Sequence, residues 1–482
     1  MAQNTAITGP TKWSVEGTRL LLNGEDIHLN GMCYSPTPKG FGIFSPQIGD
    51  WFYDKLGAMW SSDNANDRGD LKTMRELGVN HLRTYFWWVW QWPTPEQENS
   101  IDWVKRRGWK DAGAATFDHT RFLDECQANG IHVMIGLAVN SGDIFESDPS
   151  LRPAYRELYV DTAREIGRRY GAHPAVMGLC VGNEQNQPGR NEKPDFWAGL
   201  AEMSQAFRGA AADKLTMIAF QNDANLFKTT VNGTPLQEIY KRDYDVYGLN
   251  IYGDLTSSLD GFRSQVVEAE GGKWALPLIV SEWGVGGGKN VENPKYNDPA
   301  FNFPKTRQVP AAGGGTEDVP IGPLEGPPFG IALAREFNAA EFNTACDNLK
   351  KYHGQIRANS SFVVGSEYFA WSDEWWKNNT DQKLIEAIDN GSLQLDQWGR
   401  FTSPWPMPPG YNGLIEHKIP TRISEQDAGA SPDWPEEFWG LYALEHNANG
   451  PIGWTEYGYM YNADALRARP TVEALKEVFS QS

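Results

Sequence analysis

Two glutamates that close apolar runs are the residues of this sequence best placed to do chemistry. One run, 176–184, ends in Asn183-Glu184, and another, 276–284, carries Glu282 near its end. A pair of carboxyl groups can cleave a glycosidic bond, because one protonates the departing oxygen while the other attacks or stabilises the developing cation. Either glutamate alone is equally well explained as a solvated or salt-bridged residue. The pair, with Asn183 beside one member, favours a two-carboxylate active site.

The elements that must position these glutamates are the strands of an α/β fold. Short, near-continuous apolar runs are typical of parallel strands covered on both faces, and here they alternate with helix-like segments. The runs are 27–36, 79–85, 131–139, 176–184, 216–220, 244–252, 276–284 and 362–371. Eight strands with intervening helices predict a (β/α)8 TIM barrel, with 1–482 forming a single catalytic domain. We expect the ends of the fourth and seventh strands to face each other across the barrel, and a carboxyl separation of roughly 5–5.5 Å there would mean a retaining mechanism.

The segments between and around these strands complete the prediction. Helices are expected at 67–77, 118–129, 151–170, 194–213, 257–273, 332–358 and 435–447. The stretch 13–29 predicts an N-terminal β-hairpin that turns at Asn23-Gly24 and covers the barrel floor. Long insertions follow the C-terminal ends of three strands, at 86–117, 286–330 and 377–434. Because barrel enzymes build their sites at that face, these insertions are expected to shape the substrate cleft.

The composition narrows the choice of partners. The chain has 43 Lys and Arg against 62 Asp and Glu, a net charge of −19, which disfavours nucleic acid and anionic membrane surfaces. Its 20 Trp, 18 Tyr and 22 Phe are suited to stacking on sugar rings as well as to core packing. The four cysteines form no CxxC pair, and no metal or cofactor is expected. A carbohydrate is therefore the expected partner.

Oligomeric state and compartment stay open at this stage. Residues 1–10 lack the basic-then-apolar pattern of a signal peptide, and no apolar run is long enough to cross a membrane. The protein would be secreted or periplasmic if a signal had been removed, and cytoplasmic otherwise.

The motifs around the two glutamates resemble those of clan A glycoside hydrolases, which are retaining (β/α)8 enzymes. The resemblance is carried by Asn183-Glu184 and, 98 residues later, by Ser281-Glu282-Trp283-Gly284. It implies that Glu184 is the acid/base, that Glu282 is the nucleophile and that Asn183 contacts the sugar 2-hydroxyl.

Three further residues match clan positions. They are Arg83 on the second strand, Tyr252 on the sixth and Trp371 at the end of the eighth. A fixed guanidinium at Arg83 would keep Glu282 charged and oriented, and Tyr252 could donate its hydroxyl to the same carboxylate. Trp371 is expected to form the floor under the reacting sugar. Each of the three is also explained, singly, by ordinary packing or pairing.

Within the clan, 30–36 and 367–377 resemble β-glucan-acting members, loosely the β-1,3-glucanosyltransferase-like proteins. The expected activity is double displacement on β-linked glucan-type poly- or oligosaccharides, by hydrolysis or transglycosylation. The many rim aromatics favour transfer slightly, since stacked acceptor sugars compete with water. A β-mannanase, an exo-β-glycosidase and a non-catalytic carbohydrate-binding barrel remain alternatives. An aldolase or isomerase would need a strand-end lysine or metal ligands, which are not seen.

Overall fold

In the computed structural model, most residues of the chain are described. They are 5–38, 50–65, 67–91, 100–111, 116–137, 139, 149–186, 190–269, 271, 276–291, 306–310, 316–320, 333–374, 394–395, 401–403, 438–445, 452–454 and 460–481. Most of the predicted insertion 377–434, and much of 286–330, lies outside them.

A closed barrel of eight parallel strands forms the centre of the molecule and confirms the predicted fold class. Its strands follow one another around the barrel in chain order, as β4 (Leu29–Tyr34), β5 (His81–Thr84), β6 (His132–Gly136), β7 (Val176–Asn183), β8 (Leu215–Gln221), β11 (Val246–Asn250), β12 (Leu278–Trp283) and β17 (Val363–Tyr368). The first and last of these strands pair with each other and close the barrel. Each strand lies inside one of the eight predicted runs or within a residue of it. The runs were recognisable because almost every residue in these strands is buried.

Helices separate the barrel strands and cover their outer face. The helices are α1 (Gly57–Trp60), α2 (Asp70–Glu76), α3 (Ser100–Lys105), α4 (Thr120–Ala128), α5 (Arg152–Tyr170), α6 (Pro194–Ala210), α7 (Leu236–Asp243), α8 (Leu255–Ala269), α9 (Ala339–Ala358) and α10 (Pro470–Phe479). Among them, α9 begins with a capping box in which Asn338 and Glu341 satisfy each other's backbone N–H groups. The predicted helix 332–358 therefore starts too early.

Short antiparallel sheets make up the remaining strands. They are β1 (Trp13–Glu16), β2 (Arg19–Leu22), β3 (Glu25–Asp26), β9 (Thr230–Val231), β10 (Thr234–Pro235), β13 (Gly288–Val291), β14 (Thr306–Pro310), β15 (Thr316–Pro320), β16 (Leu333–Glu336), β18 (Gln394–Leu395), β19 (Phe401–Ser403), β20 (Tyr442–Glu445), β21 (Ile452–Trp454), β22 (Met460–Asn462) and β23 (Ala465–Ala468). The pairs β13–β16, β14–β15, β18–β19, β20–β23 and β21–β22 extend the loops that follow β12 and β17.

The N-terminal sheet covers the floor of the barrel, as the sequence predicts. It has three strands rather than the two of a hairpin, with one turn at Gly17-Thr18 and the predicted turn at Asn23-Gly24, where both φ angles are positive. Trp13 and Leu20 of this sheet pack with Met134, Met177 and other side chains that point into the barrel. The chain thereby closes the barrel at the end opposite the two glutamates.

One predicted helix is wrong. Residues 442–445, inside the predicted helix 435–447, form β20, which pairs with β23, and the helix that completes the eighth βα unit is α10. The apolar spacing of 435–447 suited a helix, but the partner strand follows some twenty residues later, and its pairing decides the local structure.

Four tryptophans of the insertion 86–117 are core residues. Trp87, Trp88, Trp103 and Trp109 are all buried, and Trp87 stacks on His119 with ring centroids 4.3 Å apart. These four side chains therefore hold the insertion against the barrel and are not surfaces on which sugars can stack.

Candidate active site

Glu282, near the C-terminal end of β12, is held by donors on both carboxylate oxygens. Its Oε1 accepts hydrogen bonds from the Tyr85 hydroxyl at 2.8 Å and from Nη1 and Nη2 of Arg83 at 3.2 Å each. Its Oε2 accepts a 2.6 Å hydrogen bond from the Tyr252 hydroxyl. The side chain is almost fully buried. These contacts fix the carboxylate in one orientation and place positive charge beside it.

The titration of the surrounding groups supports this arrangement. Burial, and then the charge of Glu282, raise the pKa of Tyr252 well above that of free tyrosine. Burial alone would lower the pKa of Arg83, but the acidic groups around it, Glu282 included, outweigh burial and raise that pKa. The hydroxyl and the guanidinium therefore both keep their protons at neutral pH and remain donors.

Arg83 joins the seventh strand to the fourth. Its Nη1 donates to the Ser281 carbonyl at 2.5 Å, and its Nη2 donates to Oδ1 of Asn183, also at 2.5 Å. Arg83 is itself buried on β5. Because both donors of one rigid fork are occupied in this way, Asn183 and Glu282 are held in a fixed relation to each other.

Asn250, the last residue of β11, lies between the two glutamates. Its Oδ1 accepts from the Ser281 hydroxyl at 2.8 Å, and its Nδ2 donates to Oδ1 of Asn183 at 3.1 Å and to Oε1 of Glu184 at 2.8 Å. A continuous hydrogen-bonded network therefore runs from Glu184 through Asn250, Asn183 and Arg83 to Glu282.

Glu184 has different surroundings from Glu282. It follows β7 with a φ of +50°, in the left-handed region that residues other than glycine rarely adopt. Its side chain is half-buried rather than buried, and its amide donates to the Ala219 carbonyl at 2.7 Å. Such a backbone costs about 1–3 kcal/mol and is typical of functional sites, because the fold must hold the residue in place.

Register shifts occur at the rim beside these residues. The pairing of β7 with β8 shifts between Cys180 and Asn183, and the pairing of β12 with β17 shifts between Val280 and Trp283. A bulge turns the following side chains relative to a regular strand. Asn183 and the two predicted glutamates lie at these irregular strand ends.

Trp371 stays apart from the network. Its side chain has no exposed surface, and its ring packs against Tyr442 at a centroid distance of 4.6 Å. The segment 438–442 runs alongside 370–373 and covers Trp371, with hydrogen bonds such as that from the Tyr442 amide to the Trp371 carbonyl. The tryptophan that lies beside the network is Trp439, whose ring meets that of Tyr252 edge-on at 4.7 Å.

Arg469, just before α10, holds the segment 438–442 in place. Its Nη1 and Nη2 donate to the two carboxylate oxygens of Asp373 at 2.5 and 2.8 Å, and Nη1 also donates to the Gly440 carbonyl. Its Nε donates to Glu336 at 2.8 Å. Both Asp373 and Arg469 are buried. Asp373 therefore helps to hold the segment 438–442 in place through its ion pair with Arg469.

The sequence motifs contained several further residues of the network without assigning them roles. Tyr85 adjoins the Arg83 motif, Asn250 precedes Tyr252 by two residues, and Ser281 precedes Glu282. Polar residues clustered at the ends of predicted barrel strands were the signal that could have found them. Trp439 carried no such signal, because long-range contacts bring its segment to the rim.

Within the described residues, no group of three or more His, Cys, Asp or Glu side chains is arranged to hold a metal ion. The four cysteines are unpaired thiols, and three of them are buried. No described helix is long and apolar enough to cross a membrane.

Comparisons with known proteins bear on the fold. No family model and no curated protein matches this sequence. Among solved structures, the chain is similar to a GH2 β-galacturonidase from Eisenbergiella tayi bound to glycerol, with 13% identity and a TM-score of 0.50 over 98% of this chain and 54% of the other. A β-D-glucuronidase of Dictyoglomus thermophilum matches over the same shares, at 13% identity and a TM-score of 0.49. The chain spans about half the length of these structures. The first similarity agrees with the barrel fold described above.

Proposed function

We propose that this chain is a retaining β-glycoside hydrolase that works by double displacement. The observation that carries the proposal is the network at the barrel mouth, which links two carboxylates in unequal surroundings. Buried Glu282 accepts hydrogen bonds from Arg83, Tyr85 and Tyr252, whereas Glu184 is half-buried and accepts a hydrogen bond from the neutral amide of Asn250. Two carboxyl groups in contrasting environments are what an acid and a nucleophile in one site require.

In the first step, Glu282 attacks the anomeric carbon while Glu184 gives its proton to the departing oxygen, which leaves a covalent glycosyl-enzyme. In the second step, Glu184 takes a proton from water, which attacks the same carbon and releases Glu282. Asn183 turns its Oδ1 toward Arg83 and Asn250, so its Nδ2 is the atom directed to the sugar 2-hydroxyl.

For the substrate, we propose β-linked glucan-type chains built from neutral sugars. The network that joins Glu184 to Glu282 contains one cation among its described members, Arg83, and Glu282 already opposes its charge. A uronate carboxylate would need a further cation. The β-galacturonidase with the same fold makes uronides the natural competing class, which the substrate panel must include.

Water is the proposed acceptor. The preference for transfer depended on rim aromatics as stacking platforms, and Trp87, Trp88, Trp103 and Trp109 are buried instead. Hydrolysis by the same double displacement needs no such platform.

The decisive experiment traps the covalent intermediate. An activated 2-deoxy-2-fluoro-β-glucoside should inactivate the enzyme stoichiometrically, and peptide mapping should place the label on Glu282. The Glu282→Gln variant serves as the control and should remain unlabelled. A label on any other residue would overturn the assignment of the nucleophile.

The substrate class is tested with aryl β-glucoside, β-mannoside, β-glucuronide and β-galacturonide. We expect the highest kcat/KM for the glucoside. A preference for either uronide would overturn the neutral-sugar proposal while leaving the double displacement intact.

A further inference from the structure

A cavity of about 310 Å³ lies immediately beside the candidate active site. One wall is the segment Gly284–Gly288 that leaves β12, and the opposite wall is one face of α9, with Glu341, Thr344, Asn348 and Tyr352. These helix residues are spaced three, four and four apart, which puts them on one side of the helix. The cavity belongs to the described chain and lies outside the network of the two glutamates.

The lining of this cavity combines aromatic and hydrogen-bonding groups. Trp439, Phe337 and Tyr352 supply aromatic surface, while Asn348 supplies an amide and Glu341 a carboxylate. Within the described part of the chain, the Asn348 amide makes no side-chain hydrogen bond. Sugar rings offer apolar C–H faces bordered by hydroxyl groups, and a lining of this kind is complementary to both.

The charge of the lining restricts the ligand. Among the described lining residues, Glu341 is the charged one, and Lys289 pairs with its Oε1 at 2.5 Å. The cation next to the described lining is therefore already paired, so a phosphate or a carboxylated sugar would meet a carboxylate and find no unpaired cation among these residues. A cavity at the small end of the range for ligand sites matches a single neutral sugar unit.

The cavity and the active site share a wall. Trp439 lines the cavity and packs edge-on against Tyr252, whose hydroxyl donates to Glu282. Gly253 and Gly284, which also line the cavity, follow Tyr252 and Glu282 by one and two residues. The cavity therefore adjoins the chain segments that carry Tyr252 and Glu282.

We propose that this cavity is a second sugar subsite, which binds a neutral sugar unit of the substrate other than the unit that is cleaved. The inference rests on the proposed function, because it takes the ligand to be part of the same glycan. It adds a binding element on α9, outside the barrel, to the residues at the strand ends.

The test fills the cavity and compares two matched pairs of variants on α9. Thr344→Phe places a ring in the cavity, whereas Asp347→Phe places one on the exposed face of the same helix. Asn348→Ala removes the amide in the cavity, and Asn343→Ala removes an exposed amide earlier on the same helix. All four positions are on the helix surface, so all four variants should fold.

Binding of β-1,3- and β-1,4-linked glucose trimers is measured by calorimetry in the Glu282→Gln background, which leaves the trimers uncleaved. The kcat and KM are measured with an aryl β-glucoside in enzymes that retain Glu282. We expect Thr344→Phe to weaken trimer binding at least tenfold and Asn348→Ala to weaken it about fivefold, the worth of one neutral hydrogen bond. Both should leave the aryl glucoside kinetics unchanged, and the Asp347 and Asn343 variants should match the wild type.

Unchanged trimer affinity in Thr344→Phe would overturn the subsite, as would a wild-type protein that binds no neutral trimer. The trapping experiment with the fluoroglucoside decides the proposed function independently. If Glu282 is labelled but substitutions on α9 do not change trimer binding, the proposed hydrolase activity is retained and the proposed subsite is wrong.

Discussion

The two ends of the barrel bury polar groups in opposite ways. At the mouth, the guanidinium of Arg83 faces the carboxylate of Glu282, and hydroxyl and amide groups complete the pair. At the floor, the ammonium of Lys214 donates its hydrogen bonds to neutral oxygens, which are the Thr11 hydroxyl and the carbonyls of Thr11, His173 and Val176.

Titration reflects this difference. Burial lowers the pKa of Lys214 to about 8, and burial together with the charges of His81 and Lys214 lowers the pKa of His132 to about 3. At the mouth, Arg83 and Glu282 compensate each other's charge, so both can stay ionised for catalysis. At the floor, burial favours the neutral forms of Lys214 and His132. The mouth should therefore govern turnover, and the floor should govern stability.

The largest expected effect is on turnover, from Glu184→Gln at the mouth. The amide cannot donate a proton to the departing oxygen, so kcat/KM for substrates with poor leaving groups should fall by about 10²–10⁴-fold. The temperature of unfolding should change little, since the side chain is half-buried and the amide has nearly the same shape as the carboxyl group. Steady-state kinetics with native glycosides and with dinitrophenyl glycosides measure the loss, which should be much smaller for the activated leaving group. Equal losses for both substrates would contradict the acid role.

Trp13→Ala should produce the largest loss of stability at the floor. Trp13 is buried, and its ring meets that of His132 edge-on at 4.9 Å. Truncation of a buried tryptophan removes about 3–5 kcal/mol from the free energy of unfolding. Urea denaturation measures this change, and Ile101→Ala, at an exposed apolar residue, is the matched control. A variant that unfolds normally but loses kcat would break the division between floor and mouth.

The sequence predicted the barrel better than the elements added to it. The eight strands were recognisable because burial on both faces leaves an apolar run, and the run itself carries the information. The segment 442–445 has similar apolar content but becomes β20 through pairing with β23, a contact that no local pattern encodes. The same holds for α9, whose first turn was misplaced because 333–336 pairs with β13.

The candidate site shows the same contrast between residues that a local pattern predicts and residues that long-range contacts position. Glu184, Glu282, Asn183, Arg83 and Tyr252 lie in one network, since each sits at a predictable strand end where the barrel must bring them together. Tertiary contacts, rather than a strand-end position, determine which tryptophan lies beside these residues. The segment 438–442 covers Trp371 and brings Trp439 to the rim, and the ion pair of Asp373 with Arg469 that anchors this segment spans distant parts of the chain.

Acid should destabilise the protein through the floor. The folded protein resists protonation of His132 until about pH 3, whereas the unfolded chain takes up that proton near pH 6.5. The unfolded state therefore binds more protons between these values, and stability falls as the pH drops from 6.5 towards 3, by up to about 1.4 kcal/mol per pH unit. Urea midpoints at pH 7, 5.5 and 4.5 measure the slope.

The variant His132→Gln removes this titration and isolates its contribution. Its stability should fall less steeply with acid than that of the wild type, and the two curves should converge at low pH. Parallel curves would show that the acid sensitivity arises elsewhere, for instance at His28 or His353, whose pKa values burial lowers to about 4.

The smallest effect compares one chemical change at two places. Tyr252 donates to Oε2 of Glu282 and Tyr240 donates to the Val246 carbonyl, both at 2.6 Å, so phenylalanine removes an equally short hydrogen bond from each. Tyr252→Phe takes a donor from the proposed nucleophile, and a hydrogen bond to a charged group is worth about 1.5–3 kcal/mol, so kcat/KM should fall roughly 10–100-fold.

Tyr240→Phe should leave kcat/KM unchanged, because its acceptor is a backbone carbonyl behind the barrel wall. It should instead lower the free energy of unfolding by about 2 kcal/mol, the net value of two neutral hydrogen bonds, because the Tyr240 hydroxyl also accepts from the Ile218 amide at 3.2 Å. Kinetics and urea denaturation of both variants separate the two outcomes. If Tyr252→Phe lost only stability and kept its turnover, the Tyr252 hydroxyl would have a structural role. The distinction between a barrel mouth that serves catalysis and barrel walls that serve folding would then be wrong at the residue that contacts the proposed nucleophile directly.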